Sequence, residues 1–160
     1  MYLLDSNVLI EAKNRYYAFD IVPAFWDWLV LQHGAAQVFT VQKVVDEVVG
    51  TGDELSTWVS DLPAPFSIDI EATDQPHLSS LAQWANAGHF TPAAVSDFLQ
   101  AADYFLVAQA ARLGYTVVTH ERADPASKRR IKIPDACKAM QVSYVTPFTM
   151  LRAEGAVFTL

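Results

Sequence analysis

Short apolar runs alternate with amphipathic stretches along most of the chain. The runs predict strands at 2–4, 37–40, 66–70, 115–119 and 142–145. Between them, apolar residues recurring every three or four positions predict helices at 8–13, 23–31, 41–49, 53–62, 72–87, 91–113, 133–140 and 147–154. This alternation predicts an α/β fold with three layers, in which helices cover both faces of a mostly parallel sheet of four to five strands.

Polar residues at the helix boundaries predict how these helices begin. Ser6 and Asn7 can bond the free N–H groups of the first helix, and Thr40 can cap the helix at 41–49. The long helical pattern from Thr91 to Leu113 has a possible break near 101–102.

Acidic residues follow two of the predicted strands at their carboxyl ends. Asp5 comes directly after the first strand, and Glu121 follows the strand at 115–119. Right-handed crossovers place the carboxyl ends of parallel strands at one edge of a sheet, which is where ligands bind in such folds. Asp103 lies in an otherwise apolar helix, which is unusual unless its carboxylate faces a cleft. The competing interpretation is that Asp5 only caps the following helix.

A fourth acid comes from the helix at 41–49. Asp46 and Glu47 flank its apolar stripe on opposite sides, and periodicity cannot choose between them as a site residue. Each could equally be a solvated surface carboxylate. Several acids converging on one rim would repel one another unless cations were present, and carboxylate oxygens suit Mg²⁺ or Mn²⁺.

Composition narrows the classes of protein that fit. The 160 residues are 52% hydrophobic and 18% charged, which predicts a folded chain, here a single domain over 1–160. The apolar runs are too short to span a membrane and the N-terminus lacks the pattern of a signal peptide, so a cytoplasmic location is expected. The single cysteine, Cys137, excludes an internal disulfide. The net charge of −7 argues against duplex binding by bulk charge.

The basic residues are unevenly distributed. Five of the eleven lie between residues 122 and 132: Arg122, Lys128, Arg129, Arg130 and Lys132. Such a run is either a solvated loop or a local phosphate-binding patch.

Three segments resemble the PIN domain, the nuclease fold that includes the VapC-type toxins of bacterial toxin–antitoxin pairs. Leu3-Leu4-Asp5-Ser6-Asn7 resembles the opening strand and first acid of that family. The segment 103–114 resembles its third-acid helix, and 117–121 resembles the strand before its fourth acid, which is often Asp. Glu47 matches the second-acid position, so the resemblance selects Glu47 over Asp46. The aromatic stretch at 14–28 departs from common VapC sequences and resembles a less characterised PIN-like branch.

The resemblance implies a metal-dependent endoribonuclease. The acids that would bind Mg²⁺ or Mn²⁺ are Asp5, Glu47, Asp103 and Glu121. Ser6, Asn7 and Thr119 would orient these acids or a water molecule. Since Glu121 has a longer side chain than Asp, Asp124 and Asp135 are possible substitutes for it.

The resemblance also implies RNA contacts and partners. Arg15 could contact the RNA backbone while Tyr16 and Tyr17 stack on a base, or these aromatic residues could pack under a loop. The basic residues Lys128, Arg129 and Arg130 could bind RNA phosphates or contact an antitoxin. The implied protein is a homodimeric toxin of a toxin–antitoxin pair, with RNA as substrate and an antitoxin protein as partner.

Two other functions compete with the nuclease. A phosphatase of the haloacid dehalogenase type also opens with a strand that ends in Asp, but its chemistry requires a second Asp where Asn7 stands. A non-catalytic PIN-like module that binds RNA or protein is favoured if Glu121 is out of position.

Overall fold

A parallel five-stranded sheet forms the centre of the molecule. The computed structural model describes residues 1–62 and 65–158. Its strands are β1 (Tyr2–Leu4), β2 (Val38–Val41), β3 (Ser67–Ile68), β4 (Thr116–Val118) and β5 (Tyr144–Val145). Their order across the sheet is β3-β2-β1-β4-β5, and every neighbouring pair is parallel. The predicted α/β class is therefore confirmed, and the short strand predicted at 66–70 is β3.

Helices flank the sheet and connect its strands. Those of the described ranges are α1 (Ser6–Glu11), α2 (Pro23–Gly34), α3 (Gln42–Val49), α4 (Glu54–Ser60), α5 (Gln75–Ala87), α6 (Pro92–Gln100), α7 (Ala102–Leu113), α8 (Ile133–Ala139) and α9 (Pro147–Ala153). A π-helical turn at Ala12–Tyr16 prolongs α1, so the predicted end of that helix at residue 13 is wrong. The predicted break near 101–102 is confirmed, because Ala101 has an extended backbone. In the described part of the chain, no helix is long and apolar enough to cross a membrane.

The central strand β1 is buried between the helical layers. Leu3 and Leu4 are fully buried, as are Val117 and Val118 of the neighbouring β4. Continuous apolar runs of this kind are expected where a parallel sheet is covered on both faces. Because Leu4 pairs with Val118, β1 and β4 end at the same level, and the chain continues from them into Asp5 and Thr119.

Two of the predicted helix caps are wrong. The Thr40 hydroxyl donates a hydrogen bond to the Leu4 carbonyl oxygen at 2.6 Å, so it ties β2 to β1, and Val41 precedes α3 without a side-chain cap. Asp5, rather than Ser6 or Asn7, caps α1 by accepting a hydrogen bond from the Asn7 backbone N–H. The interpretation of Asp5 as a cap is therefore correct, although it does not exclude a second role.

A buried ion pair joins α7 to the segment before α5. Arg112 Nε lies 2.5 Å from Asp74 Oδ1, and the Asp74 side chain is fully buried. Asp74 Oδ2 also accepts a hydrogen bond from the Glu71 backbone N–H at 2.8 Å. Breaking such a pair by removing one partner leaves an uncompensated buried charge.

Replacing Arg112 with Met should therefore destabilise the protein while keeping most of the side-chain packing. We expect the free energy of unfolding to fall by about 3 kcal/mol, measured by urea denaturation at neutral pH. The double variant Arg112→Met/Asp74→Asn should recover part of that loss, because Asn carries no charge and can still accept the Glu71 N–H. An equal effect of Arg152→Met, which removes an exposed arginine, would contradict this explanation.

Candidate acidic active site

Asp5 lies where β1 and β4 end, and three donors hold its carboxylate. The Thr119 hydroxyl donates to Asp5 Oδ2 at 3.0 Å. The Ser6 hydroxyl and the Asn7 backbone N–H each approach Oδ1 at 3.4 Å. Ser6 and Thr119 therefore contact Asp5 through their side chains. Asn7 does so through its backbone, and its side chain is left free to line a cleft.

Glu47 and Asp103 approach this point from two helices. The extended Ala101 separates α6 from α7, so Asp103 lies in the first turn of α7. Glu47 Oε1, from α3, accepts the Ala102 backbone N–H at 3.4 Å. Asp46 instead accepts a hydrogen bond from the Gln42 side chain at 2.9 Å. The structure thus places Glu47, and not Asp46, beside Asp103.

Burial and charge repulsion raise the pKa of Asp5 to about 6. Burial is the largest cause, and the negative charges of Glu121 and Glu47 add to it. The hydrogen bonds from Thr119 and Asn7 act in the opposite direction because they stabilise the carboxylate. Two other acids of the site, Glu121 and Glu47, therefore help to raise the pKa of Asp5.

The pKa of Asp103 is raised further, to about 7. Burial is again the largest cause, followed by the charges of Asp5, Glu121 and Glu47, while the Arg130 guanidinium lowers it. The four acids selected from the sequence therefore lie close enough for their negative charges to repel one another. Perturbed carboxyl groups gathered at one edge of a parallel sheet are characteristic of functional sites.

Glu121 is bound by donors from the basic segment. Its Oε1 accepts hydrogen bonds from Arg130 at 2.8 Å and from Lys132 at 3.2 Å, and its Oε2 accepts the Ile133 N–H at 2.8 Å. The Glu121 N–H donates to the Thr119 hydroxyl at 3.1 Å, which continues the hydrogen bonds around Asp5. Glu121 thus connects the acids to the basic segment.

The possible substitutes for Glu121 lie elsewhere. The Asp124 backbone N–H donates to Asp135 Oδ2 at 2.9 Å. Asp135 lines a separate cleft with Trp84 and Lys138. Neither acid contributes to the raised pKa values of the acidic site.

The carboxylates of Asp5, Glu47, Asp103 and Glu121 are chemically suited to a divalent cation, although in this structure they are not arranged around one position. Carboxylate oxygens are the ligands that Mg²⁺ and Mn²⁺ prefer, and a cation would relieve the repulsion that raises the pKa values of Asp5 and Asp103. Within residues 1–62 and 65–158, however, no three His, Cys, Asp or Glu side chains are arranged to hold a metal ion. In this arrangement Glu47 accepts the Ala102 N–H of α7, and Glu121 is bonded to the basic segment.

Two clefts meet at Arg130, between the acids and the basic segment. One has a volume of about 240 Å³ and is lined by Asp103, Arg129 and Arg130 among others. The second, of about 620 Å³, is lined by Asn7, Glu11, Arg15, Tyr16, His120, Glu121, Arg122, Arg130, Thr146 and Phe148. Of the basic residues predicted to bind substrate, Arg15, Arg129 and Arg130 thus line these clefts, whereas Lys128 lines neither.

The two neighbouring tyrosines have different surroundings. Tyr17 stacks on Phe25 with ring centroids 4.3 Å apart and packs, partly buried, against the core. Tyr16 is 44% exposed and stacks on His120. Sequence reasoning did not assign His120 or Phe148 to the site. The only signal was the position of His120 at the end of β4, since nothing in the sequence pattern links Phe148 to Tyr16.

Comparisons with known proteins agree with this fold. A family model described as a domain of unknown function, DUF4411, matches residues 2–158, so the chain belongs to that family. No curated protein matches its sequence. The fold is similar to the crystal structure of FitAcB from Neisseria gonorrhoeae, with a TM-score of 0.58 and 19% identity over 92% of this chain and 99% of that one. It is also similar to FitAB bound to an IR36 DNA fragment, with a TM-score of 0.56 and 19% identity over 92% and 96% of the two chains. The fold is thus PIN-like.

The raised pKa of Asp103 predicts that this acid lowers stability at alkaline pH. Its protonated form contributes stability that is fully present below about pH 4 and is lost as the pH rises through about 7. Asp103→Asn should therefore raise the free energy of unfolding at pH 8 by on the order of 3 kcal/mol, and should match the wild type near pH 4. Urea denaturation in EDTA at both values measures this difference. The control variant Asp46→Asn changes an exposed acid and should have the stability of the wild type at both pH values. An effect of Asp103→Asn that does not change with pH would contradict a raised pKa of Asp103.

Proposed function

We propose that this member of the DUF4411 family is a metal-dependent endoribonuclease. The observation that carries the proposal is the meeting of four acids, from β1, α3, α7 and the end of β4, at one edge of a parallel sheet. Their charges raise the pKa values of Asp5 and Asp103, so the site favours positive charge. Mg²⁺ or Mn²⁺ is the cofactor that suits these oxygen ligands.

We assign each residue of the site a separate role in the hydrolysis of RNA. Asp5, Glu47, Asp103 and Glu121 are the proposed metal ligands. A bound ion would lower the pKa of a water molecule and stabilise charge on the scissile phosphate. Ser6 and Thr119 hold the Asp5 carboxylate in position, and Asn7, which lines the larger cleft, would orient a water molecule. In the proposed reaction the water oxygen attacks phosphorus and the bond from phosphorus to the 3′ oxygen breaks, leaving a 5′-phosphate and a 3′-hydroxyl.

We also propose that the protein is the toxin of a toxin–antitoxin pair. The PIN-like fold shared with FitAcB and FitAB supports this assignment, as does the sequence resemblance to VapC-type toxins. An antitoxin protein and a second copy of the chain are then the expected partners. FitAB is bound to DNA in its structure, but the net charge of −7 argues that this chain does not bind a duplex by bulk charge.

A second candidate function is a non-catalytic PIN-like module that binds RNA or protein. Its supporting observation is that both oxygens of Glu121 are already bound by Arg130, Lys132 and the Ile133 N–H. If these bonds persist, the metal site would have three acids at most.

Manganese binding tests the nuclease directly. We expect titration calorimetry to show saturable Mn²⁺ binding in the wild type and none in Asp5→Asn/Asp103→Asn, because the double variant removes two charged ligands. Cleavage of single-stranded RNA should require Mg²⁺ or Mn²⁺ and fall by roughly 100-fold or more in Asp5→Asn. Metal binding without cleavage of any RNA would favour the binding module. RNA binding that is unchanged in the double variant would favour it too, provided that the wild type also cleaves no RNA.

The choice between Glu47 and Asp46 has its own test. Glu47→Gln should weaken Mn²⁺ binding about ten-fold, because it removes a charge while its side-chain oxygen can still accept the Ala102 N–H. Asp46→Asn, on the other side of the same helix, is the matched control and should leave the affinity unchanged. The reverse result would mean that the resemblance to the PIN domain selects the wrong acid.

A further inference from the structure

We propose that Tyr16, His120 and Phe148 form a subsite that binds one unpaired nucleobase of single-stranded RNA beside the acidic site. We call these three residues the aromatic subsite. The identity of the polymer rests on the proposed function, whereas the base contact is inferred from the residues of the larger cleft. The resemblance suggested base stacking by Tyr16 and Tyr17. In the structure Tyr17 packs on Phe25, and the partners of Tyr16 are His120 and Phe148, which the sequence pattern did not link to it.

The three rings form a packed group that reaches the surface. Tyr16 stacks on His120 with ring centroids 5.6 Å apart and planes inclined by 25°. The Phe148 ring meets Tyr16 edge to face at 5.4 Å and lies 6.2 Å from His120. Although Tyr16 has these contacts, 44% of it stays exposed. The three rings therefore pack together without a ligand, and the exposed part of Tyr16 is the surface that we assign to stacking on a base.

The rest of the cleft suits a nucleotide. Its volume of about 620 Å³ is within the range of small-molecule sites. Arg15 pairs with Glu11 at 3.0 Å and Arg130 with Glu121 at 2.8 Å, yet their side chains are 70% and 61% exposed. The exposed part of each guanidinium is the part that we assign to a phosphate. Exposed arginines beside an aromatic surface are the combination by which proteins bind single strands, since the rings stack on bases and the cations meet the backbone.

The cleft also adjoins the acids. Asn7 and Glu121 are among its lining residues, and Glu121 is linked through the Thr119 hydroxyl to Asp5. A base on the aromatic subsite would therefore lie in the same cleft as Glu121, one of the proposed metal ligands. Because paired bases in a duplex have both faces stacked, the subsite selects unpaired RNA.

Binding in the absence of divalent metal separates this inference from catalysis. The probe is a fluorescein-labelled oligouridylate of about eight nucleotides, followed by fluorescence anisotropy in EDTA at low ionic strength. Tyr16→Ala should weaken binding roughly ten-fold, while Tyr16→Phe, which keeps the ring, should bind like the wild type. Tyr144→Ala is the matched control, because Tyr144 is 43% exposed and lines neither cleft at the acids.

The same oligonucleotide made without bases provides the second arm. It should bind the wild type and Tyr16→Ala equally weakly, since it offers nothing to stack. The inference is overturned if the wild type does not bind the probe, if base removal has no effect, or if Tyr144→Ala loses as much affinity as Tyr16→Ala. Base-dependent binding that requires Tyr16, without cleavage when Mn²⁺ is added, would support the subsite and reject the nuclease. Cleavage that does not depend on Tyr16 would support the nuclease and reject the subsite.

Discussion

The arrangement of the candidate site depends on the parallel register of β1 and β4. Leu4 lies beside Val118, and the Asp5 N–H donates to the Val118 carbonyl oxygen at 3.0 Å. The first residue after each strand is therefore held beside the first residue after the other, which is why the Thr119 hydroxyl reaches the Asp5 carboxylate. A shift of one residue would turn the buried leucines and valines toward the opposite layer. The core that stabilises the sheet thus also fixes the position of the central acid.

This arrangement has a cost in stability. Acids that meet at one edge of the sheet repel one another, and the raised pKa values of Asp5 and Asp103 reflect burial as the main cause and that repulsion as a smaller one. The protein compensates only in part, with hydrogen bonds to Asp5 and with the Arg130 guanidinium near Asp103. The Asp74–Arg112 pair shows a different solution, since there a fully buried carboxylate has a cation directly against it. Asp5 and Asp103, whose negative charges are compensated only in part, are suited to binding a cation, which is the basis of the proposed function.

The sequence predicted those features that depend on local pattern. The apolar runs located all five strands, and the acids after two of them were expected at one edge of the sheet because parallel strands require it. Features that depend on distant residues were not predictable. Thr40 was expected to cap α3 but bonds to Leu4, which is distant in sequence and adjacent in the sheet. The pattern also could not tell which of Asp46 and Glu47 faces α7, or that Phe148 contacts Tyr16, because both depend on residues far apart in the sequence.

The contacts of Glu121 explain the effect of having Glu, and not Asp, at this position. The family that the sequence resembles often has Asp at this position, and the additional methylene group of Glu extends the carboxylate further from the backbone. In this chain the extended carboxylate reaches Arg130, Lys132 and the Ile133 N–H at once, while the Glu121 backbone stays bonded to Thr119. The longer side chain therefore fits the donors of the basic segment. It places Arg130 between the two clefts, where its charge acts on Asp103 and also borders the aromatic subsite. The acids and the basic segment thus depend on each other: without Glu121 the segment loses its attachment to the site, and without Arg130 the repulsion at Asp103 increases.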